Sequence, residues 1–222
     1  MKKTIFTIIM MLVAVCASAQ SSARVATKKQ ATTTTKSAQA KASQARKVLD
    51  KTASIVGRKG GASASFKISS AKIGSTQGTI YVKGNKFHAR TPQAIVWFNG
   101  KTQWTYMKST DEVNVSNPNE AQQMAMNPYN FINIYKQGYA LSMKADATNY
   151  NVRMVAQNKN RSVQEMYITI NKKTYAPTQV KMREGQTWTT ISITGFKAKD
   201  QSDAIFVFNH KDFPSAEVVD LR

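Results

Sequence analysis

Residues 94–107 read AIVWFNGKTQWTYM, and this stretch decides the fold. Two runs rich in β-branched and aromatic residues flank Asn99-Gly100, a dipeptide that accepts positive φ in a tight turn. The stretch therefore predicts a β-hairpin with Trp97 and Trp104 on adjacent strands. Two of the three tryptophans of the chain lie here, so a protein core, a ligand or both must cover a large apolar surface.

Short alternating runs on both sides of the hairpin predict more strands. The expected strands are 62–69, 78–83, 86–90, 94–98, 103–107, 112–115, 140–144, 151–157, 164–171, 179–184, 187–195 and 204–209. Apolar residues recur at every second position, which favours one apolar face and one hydrated face. A single antiparallel meander of this kind has to curl, so the sequence predicts a mainly β fold: an incomplete, half-open β-barrel with a concave apolar face.

Helices are predicted to cover that face. An amphipathic helix of about fourteen residues starts after Ser43 and ends at Gly57. Two short helices are expected between residues 118 and 138, and the second of them, from Tyr129 to Lys136, has little polar surface. A helix of this kind between strands is either packed into a core or a movable cover over one.

The N-terminus has the pattern of an export signal. Lys2-Lys3 precede an apolar run, and Ala17-Ser18-Ala19 supply small residues for cleavage, so residues 1–19 are predicted to be a signal peptide and the protein to be periplasmic. Lipid attachment at Cys16 is the alternative, but Val15 stands where that motif has a small residue.

The exported chain divides into two predicted parts. Residues 20–42 are basic and poor in large apolar side chains, which predicts a disordered linker, and residues 43–222 are expected to form one domain. The full chain carries a net charge of +20, a value typical of nucleic-acid binding. Export makes nucleic acid an unsuitable partner, and the basic arm is either a soluble spacer or a contact with an anionic membrane surface.

The sequence offers little for catalysis. It has two histidines, His88 and His210, and its twelve acidic residues are mostly isolated. Phosphate loops, nucleophile elbows and metal-ligand spacings are not found in it. We therefore expect no enzyme activity, no catalytic residue, no metal and no cofactor.

The apolar side chains instead favour a cavity for flexible ligands, because methionine adapts to irregular shapes. Alternation assigns these candidates to a lipid-binding groove: Phe66, Ile80, Val82, Ile95, Trp97, Trp104, Tyr106, Met154, Met166, Ile168, Met182 and Ile191.

Several segments, in this order, resemble the periplasmic outer-membrane lipoprotein carrier family, the LolA-like proteins. They are Gly84-Asn85-Lys86-Phe87, IVWFNGKTQWTYM, Val113-Asn114-Val115, NPYNFI and the ending FVFNHKDFPSAEVVDLR. The resemblance extends from about Ser43 to Leu221, and Asn-Gly-Lys-Thr-x-x-Trp-x-Tyr is its most specific part.

The resemblance implies a monomeric carrier whose groove holds lipoprotein acyl chains. Such a carrier loads at an inner-membrane release complex and delivers to an outer-membrane acceptor. The implied lid residues are Met124, Pro128, Phe131, Ile132 and Tyr135. Relatives carry an Arg-Pro pair, whose arginine helps to close the lid, where this chain has Gly84-Asn85, so that latch does not transfer.

The alternative function is a non-catalytic structural or adhesion protein of the envelope. In that case the apolar face is a filled core, and the basic arm binds a polyanion. A groove able to hold an acyl chain distinguishes the carrier from this alternative.

Overall fold

A long helix precedes the sheet. A computed structural model of the chain describes residues 20–72, 74–118 and 134–222, with side chains from residue 37 onward. Helix α1 runs Gln20–Val56 and so includes residues 20–42, for which the sequence predicts a disordered linker. That segment lacks Gly and Pro and is rich in Ala, Gln and Lys, which are strong helix formers. The chain forms two compact units, Met1–Gln39 and Ala40–Arg222, and the contacts discussed below lie within the second.

Twelve strands form one sheet within the described residues. The strands are β1 (Ala62–Ser70), β2 (Gly74–Lys83), β3 (Lys86–Arg90), β4 (Ala94–Phe98), β5 (Gln103–Met107), β6 (Glu112–Ser116), β7 (Tyr139–Ala145), β8 (Asn149–Ala156), β9 (Val163–Asn171), β10 (Pro177–Glu184), β11 (Thr187–Lys197) and β12 (Glu217–Asp220). In the same part of the chain, no helix has both the length and the hydropathy needed to cross a membrane.

The sheet is long, mostly antiparallel and open. Its order is β12-β6-β5-β4-β3-β2-β1-β11-β10-β9-β8-β7, and the edge strands β12 and β7 do not pair with each other. This confirms the predicted mainly β, incomplete-barrel class. The connectivity adds a detail, because two meanders, β1–β6 and β7–β11, join side by side through β1 and β11.

The C-terminal segment differs from its prediction. Residues 204–209 were expected to form a strand, but 3₁₀ turns span Asp203–Phe206 and His210–Asp212. Ser202 and Asn209 cap the two turns by accepting hydrogen bonds from backbone N–H groups. These side-chain bonds compete with the backbone bonds that a strand would need. The last strand is β12, and it pairs parallel with β6.

The two faces of the sheet are covered by different parts of the chain. We call the face that packs against α1 the helix face and the opposite face the outer face. Ala45, Val48 and Leu49 of α1 share one buried cluster with residues of β7–β11 on the helix face. A second cluster on the helix face contains Ala62, Ile80, Val82, Phe87 and Phe98. On the outer face, side chains of β5 and β6 pack with the C-terminal segment.

Candidate functional site

The tryptophan hairpin forms, with a turn that differs from the expected one. Trp97 pairs directly with Trp104 across β4 and β5. The connection has four residues, 99–102, and Gly100 alone among them has positive φ, at +101°. Asn99 instead accepts hydrogen bonds through Oδ1 from Lys101 N and Thr102 N at 3.0 and 2.9 Å. The turn is therefore closed by the asparagine side chain together with the backbone bond from Asn99 N to the Thr102 carbonyl oxygen at 3.2 Å.

Strand register assigns Trp97 to the outer face. Phe87 of β3 pairs with Phe98, and His88 pairs with Trp97. Phe87 in turn pairs with Val82, which belongs to the helix face. Directly paired residues share a face and neighbours along a strand alternate, so Trp97 lies opposite Phe98.

The predicted groove set is therefore divided, which corrects the expectation of one shared apolar face. Four candidates, Ile95, Trp97, Trp104 and Tyr106, lie on the outer face. The physical reason is that β4 is apolar on both faces, so alternation within that strand does not choose between them. The eight candidates that share the helix face are Phe66, Ile80, Val82, Met154, Met166, Ile168, Met182 and Ile191.

The helix face carries further apolar residues that the candidate set omitted. They are Ile68, Phe87, Phe98, Leu141, Met143, Ile170, Val180 and Ile193. Period-two alternation marks half of them, Ile68, Ile170, Val180 and Ile193, so the sequence held part of the signal for their common side.

Burial is uneven along the helix face. Under α1, Met154, Met166 and Ile168 are at most 1% exposed. On the central strands β1 and β11, Phe66, Ile68 and Ile193 are only partly buried. Phe66 packs against both helix-face clusters and so lies between them. We call Phe66, Ile68 and Ile193 the central strip, an apolar surface that is accessible between two closed cores.

Helix α1 also fixes the segment that leads into β7. Tyr135 is fully buried, and its hydroxyl donates to Asp50 Oδ1 of α1 at 2.5 Å. Burial is the first cause of the raised pKa of Tyr135, and the bond to Asp50 is the second. Arg46 Nη1 donates to the Lys136 carbonyl oxygen at 3.4 Å. Tyr135 is thus anchored, while the other lid candidates, Met124, Pro128, Phe131 and Ile132, lie outside the described residues.

The outer face of β3 and β4 is packed with aromatic rings. Trp97 is 7% exposed, and its ring centroid lies 5.4 Å from that of Phe208 and 5.5 Å from that of Phe213. A cavity of about 850 Å³ lies beside these rings and is also lined by His88 and Arg90. Burial, followed by the charge of Arg90, lowers the pKa of His88 to about 4. The C-terminal segment therefore covers this part of the outer face with aromatic rings and lines a cavity there, separate from the central strip.

The turn that replaces the latch of relatives has a local structural role. Asn85 Nδ2 donates to the Gly100 carbonyl oxygen at 3.5 Å, so the β2–β3 turn contacts the tryptophan hairpin. Lys83 and Lys86 beside it both form salt bridges with Asp203, at 3.0 and 2.9 Å. These contacts connect the turn to the C-terminal segment.

Histidine and acidic side chains are dispersed over the described residues. No group of three or more His, Cys, Asp or Glu side chains suitable for a metal ion occurs in the described residues. The arrangement of the helix face offers apolar contact area, and this is the property of a binding surface.

Comparisons with known proteins agree with this fold. Residues 34–186 match the family described as outer membrane lipoprotein carrier protein LolA. No protein of curated function matches the sequence significantly. An uncharacterized conserved protein from Thermus thermophilus is similar in structure, with a TM-score of 0.55 and 12% identity over 80% of this chain and 99% of that one.

Two more solved structures are more distant. A LolA superfamily protein from Nitrosomonas europaea aligns with a TM-score of 0.41 and 10% identity over 74% of this chain and 97% of that one. The MucA/MucB complex of Pseudomonas aeruginosa aligns with a TM-score of 0.41 and 11% identity over 74% of this chain and 61% of that one. The family model covers more than half of the 222 residues, so this chain belongs to the outer membrane lipoprotein carrier protein LolA family.

Proposed function

We propose that this protein is a periplasmic carrier that holds the acyl chains of lipoproteins on the helix face of its sheet. The observation that carries the proposal is the central strip, where Phe66, Ile68 and Ile193 remain partly accessible between two buried clusters. An acyl chain that lay along this strip would contact apolar side chains on both sides.

The binding energy would come from removal of the acyl chain from water. Each buried methylene contributes about 0.8 kcal/mol, so an acyl chain of ordinary length supplies a large driving force without any chemical step. Met182 and Met143 lie on the same face as the strip and are partly buried. Their flexible thioether side chains would adapt to chains of different length.

Entry of an acyl chain would require the cover of the helix face to move. We assign that cover to the segment with Met124, Pro128, Phe131 and Ile132, as the family resemblance implies. Tyr135 would remain fixed during entry, because its bond to Asp50 and its complete burial attach it to α1.

The proposed route follows the family pattern. The exported chain would receive a lipoprotein from an inner-membrane release complex, cross the periplasm as a monomer and deliver the lipoprotein to an outer-membrane acceptor. Depletion of the protein should then cause lipoproteins to accumulate at the inner membrane.

Site-specific photocrosslinking tests the binding surface. A benzophenone amino acid would replace Phe66 or Ile68 on the helix face, and Ser65 as the matched control on the outer face of the same strand. After loading with a lipoprotein whose acyl chains are radiolabelled, we expect adducts at positions 66 and 68 and none at position 65. Equal labelling at all three positions, or none at 66 and 68, would contradict the proposal and favour an envelope protein with a filled core.

A further inference from the structure

A cluster of basic and aromatic side chains covers the outer face of β7–β11 and the adjoining β1. Arg153, Tyr167 and Lys181 are directly paired neighbours on β8, β9 and β10. Arg183 of β10 pairs with Trp188 of β11 in the next row of the sheet. Lys144 of β7 and Lys67 of β1 share this face, through pairs with Asn151 and Ser192. We call these seven residues the basic outer patch: Lys67, Lys144, Arg153, Tyr167, Lys181, Arg183 and Trp188.

Cations exceed carboxylates in this patch. Glu165 is the carboxylate at its centre, and two arginines share it, Arg153 at 2.8 Å and Arg183 at 3.5 Å. The Asp146 carboxylate, at the adjoining β7–β8 turn, accepts hydrogen bonds from Thr148 N and Asn149 N. The three patch lysines form no salt bridge with any described residue. Internal pairing therefore explains the two arginines and leaves the lysines free to bind an anionic partner.

The aromatic side chains of the patch are oriented by the cations. The ammonium of Lys181 lies 4.7 Å from the Trp188 ring centroid, and the guanidinium of Arg153 lies 5.9 Å from that of Tyr167. Tyr167 is 39% exposed although it belongs to a central part of its strand. Tryptophan and tyrosine beside lysine and arginine are the side chains that proteins place at the headgroup level of a bilayer.

We propose that the basic outer patch docks this protein on membranes rich in anionic phospholipids. Six neighbouring strands contribute to the patch, so it is about 24 Å wide at the usual strand spacing, and several headgroups can contact it together. The patch lies on the face opposite the central strip, and docking therefore leaves the acyl-binding surface unobstructed. Docking goes beyond carrier function, because it concerns the membrane that the protein binds and not the ligand that it carries.

Vesicle sedimentation with charge-matched variants tests the docking. The patch variant is Lys67→Glu/Lys144→Glu/Lys181→Glu, and the control is Lys101→Glu/Lys108→Glu/Lys211→Glu, which changes three exposed lysines elsewhere by the same total charge. The probes are vesicles of phosphatidylglycerol with phosphatidylethanolamine, and vesicles of phosphatidylcholine alone. A basic residue near an anionic surface is worth about fivefold in partitioning, so loss of three lysines alone costs about a hundredfold, and the patch variant, which also adds three acidic groups, should lose at least that much on the anionic vesicles.

The outcomes distinguish binding through the patch from a general effect of net charge. The control variant should lose much less affinity than the patch variant, and binding of the unchanged protein should weaken as salt is added. Equal losses in both triple variants, or full binding by the patch variant, would overturn the proposal. Binding to phosphatidylcholine vesicles as tight as to anionic ones would overturn it as well.

A second measurement does not depend on the folding of the triple variant. The exported chain is predicted to have no cysteine, so Gln179→Cys and Val207→Cys each provide a unique site for an environment-sensitive dye. Gln179 is exposed on the outer face beside the patch and is not one of its seven residues, and Val207 is 44% exposed on the C-terminal segment. Anionic vesicles should shift the emission at position 179 to shorter wavelength and leave position 207 unchanged. No shift at 179 would refute docking through this face. Photocrosslinking at position 66 uses no membrane, so carrier function and docking can fail independently.

Discussion

Truncation of Trp97 distinguishes a structural hairpin from a ligand wall. Trp97 is 7% exposed and contacts the rings of His88, Phe208 and Phe213 at centroid distances of 5.3, 5.4 and 5.5 Å. Replacement of a buried large aromatic residue by alanine costs about 3–5 kcal/mol, and each aromatic pair adds about 0.5–1.5 kcal/mol to simple burial. We expect Trp97→Ala to lower the free energy of unfolding by about 4–5 kcal/mol.

The measurement is urea unfolding followed by far-ultraviolet circular dichroism, since tryptophan fluorescence is altered by the substitution itself. A loss of this size should lower the melting temperature by about 8–20 °C for a domain of this length. Trp104→Ala is the matched control, because Trp104 is on the same face but only partly buried, and its loss should be smaller.

The second part of this prediction concerns acyl-chain binding by the same Trp97→Ala variant. The fraction of Trp97→Ala protein that remains folded should still crosslink a lipoprotein acyl chain through position 66, because Trp97 lies on the opposite face of the sheet. A stability loss below about 2 kcal/mol would refute the packing argument. Loss of capture by folded protein would refute the division of the two faces.

Three more predictions concern other parts of the fold. Tyr135→Phe removes the hydrogen bond to Asp50 and should cost about 1.5 kcal/mol in urea unfolding. Burial lowers the pKa of His88 to about 4 from its ordinary 6.5, so on acidification the unfolded chain takes up this proton at a higher pH than the folded protein does. Stability should therefore fall as pH drops from about 6.5 toward 4. His88→Gln should flatten that dependence in thermal melts at several pH values. Gly78→Ala would place Cβ 2.0 Å from the Arg90 carbonyl oxygen and should destabilise the protein by about 1–3 kcal/mol, measured by urea unfolding.

Each of these has a result that would contradict it. An unchanged unfolding midpoint for Tyr135→Phe would mean that the bond to α1 adds nothing to stability. Identical pH profiles for the wild type and His88→Gln would remove the histidine as a cause of acid sensitivity. Gly78→Ala should be compared with Ser75→Ala, an exposed position on the same strand, and equal stability of the two would argue against close packing at Gly78.

Local pattern was sufficient for most strands, because alternation and turn residues act over a few positions. The hairpin at residues 94–107 is an example: its apolar runs and Asn99-Gly100 determine where the chain reverses. The same local reasoning failed for residues 204–209, where side-chain caps compete with strand pairing.

The sequence by itself determined the strand positions, the alternation within each strand and the resemblance to lipoprotein carriers. Only the tertiary structure decided which alternating sets share a face. Register between strands depends on turn geometry and long-range pairing, and β4 is apolar on both sides, so Trp97 and Phe98 were equally suited to either face. The C-terminal segment, more than a hundred residues further along the chain, covers Trp97 and leaves the central strip of the opposite face as the candidate acyl site.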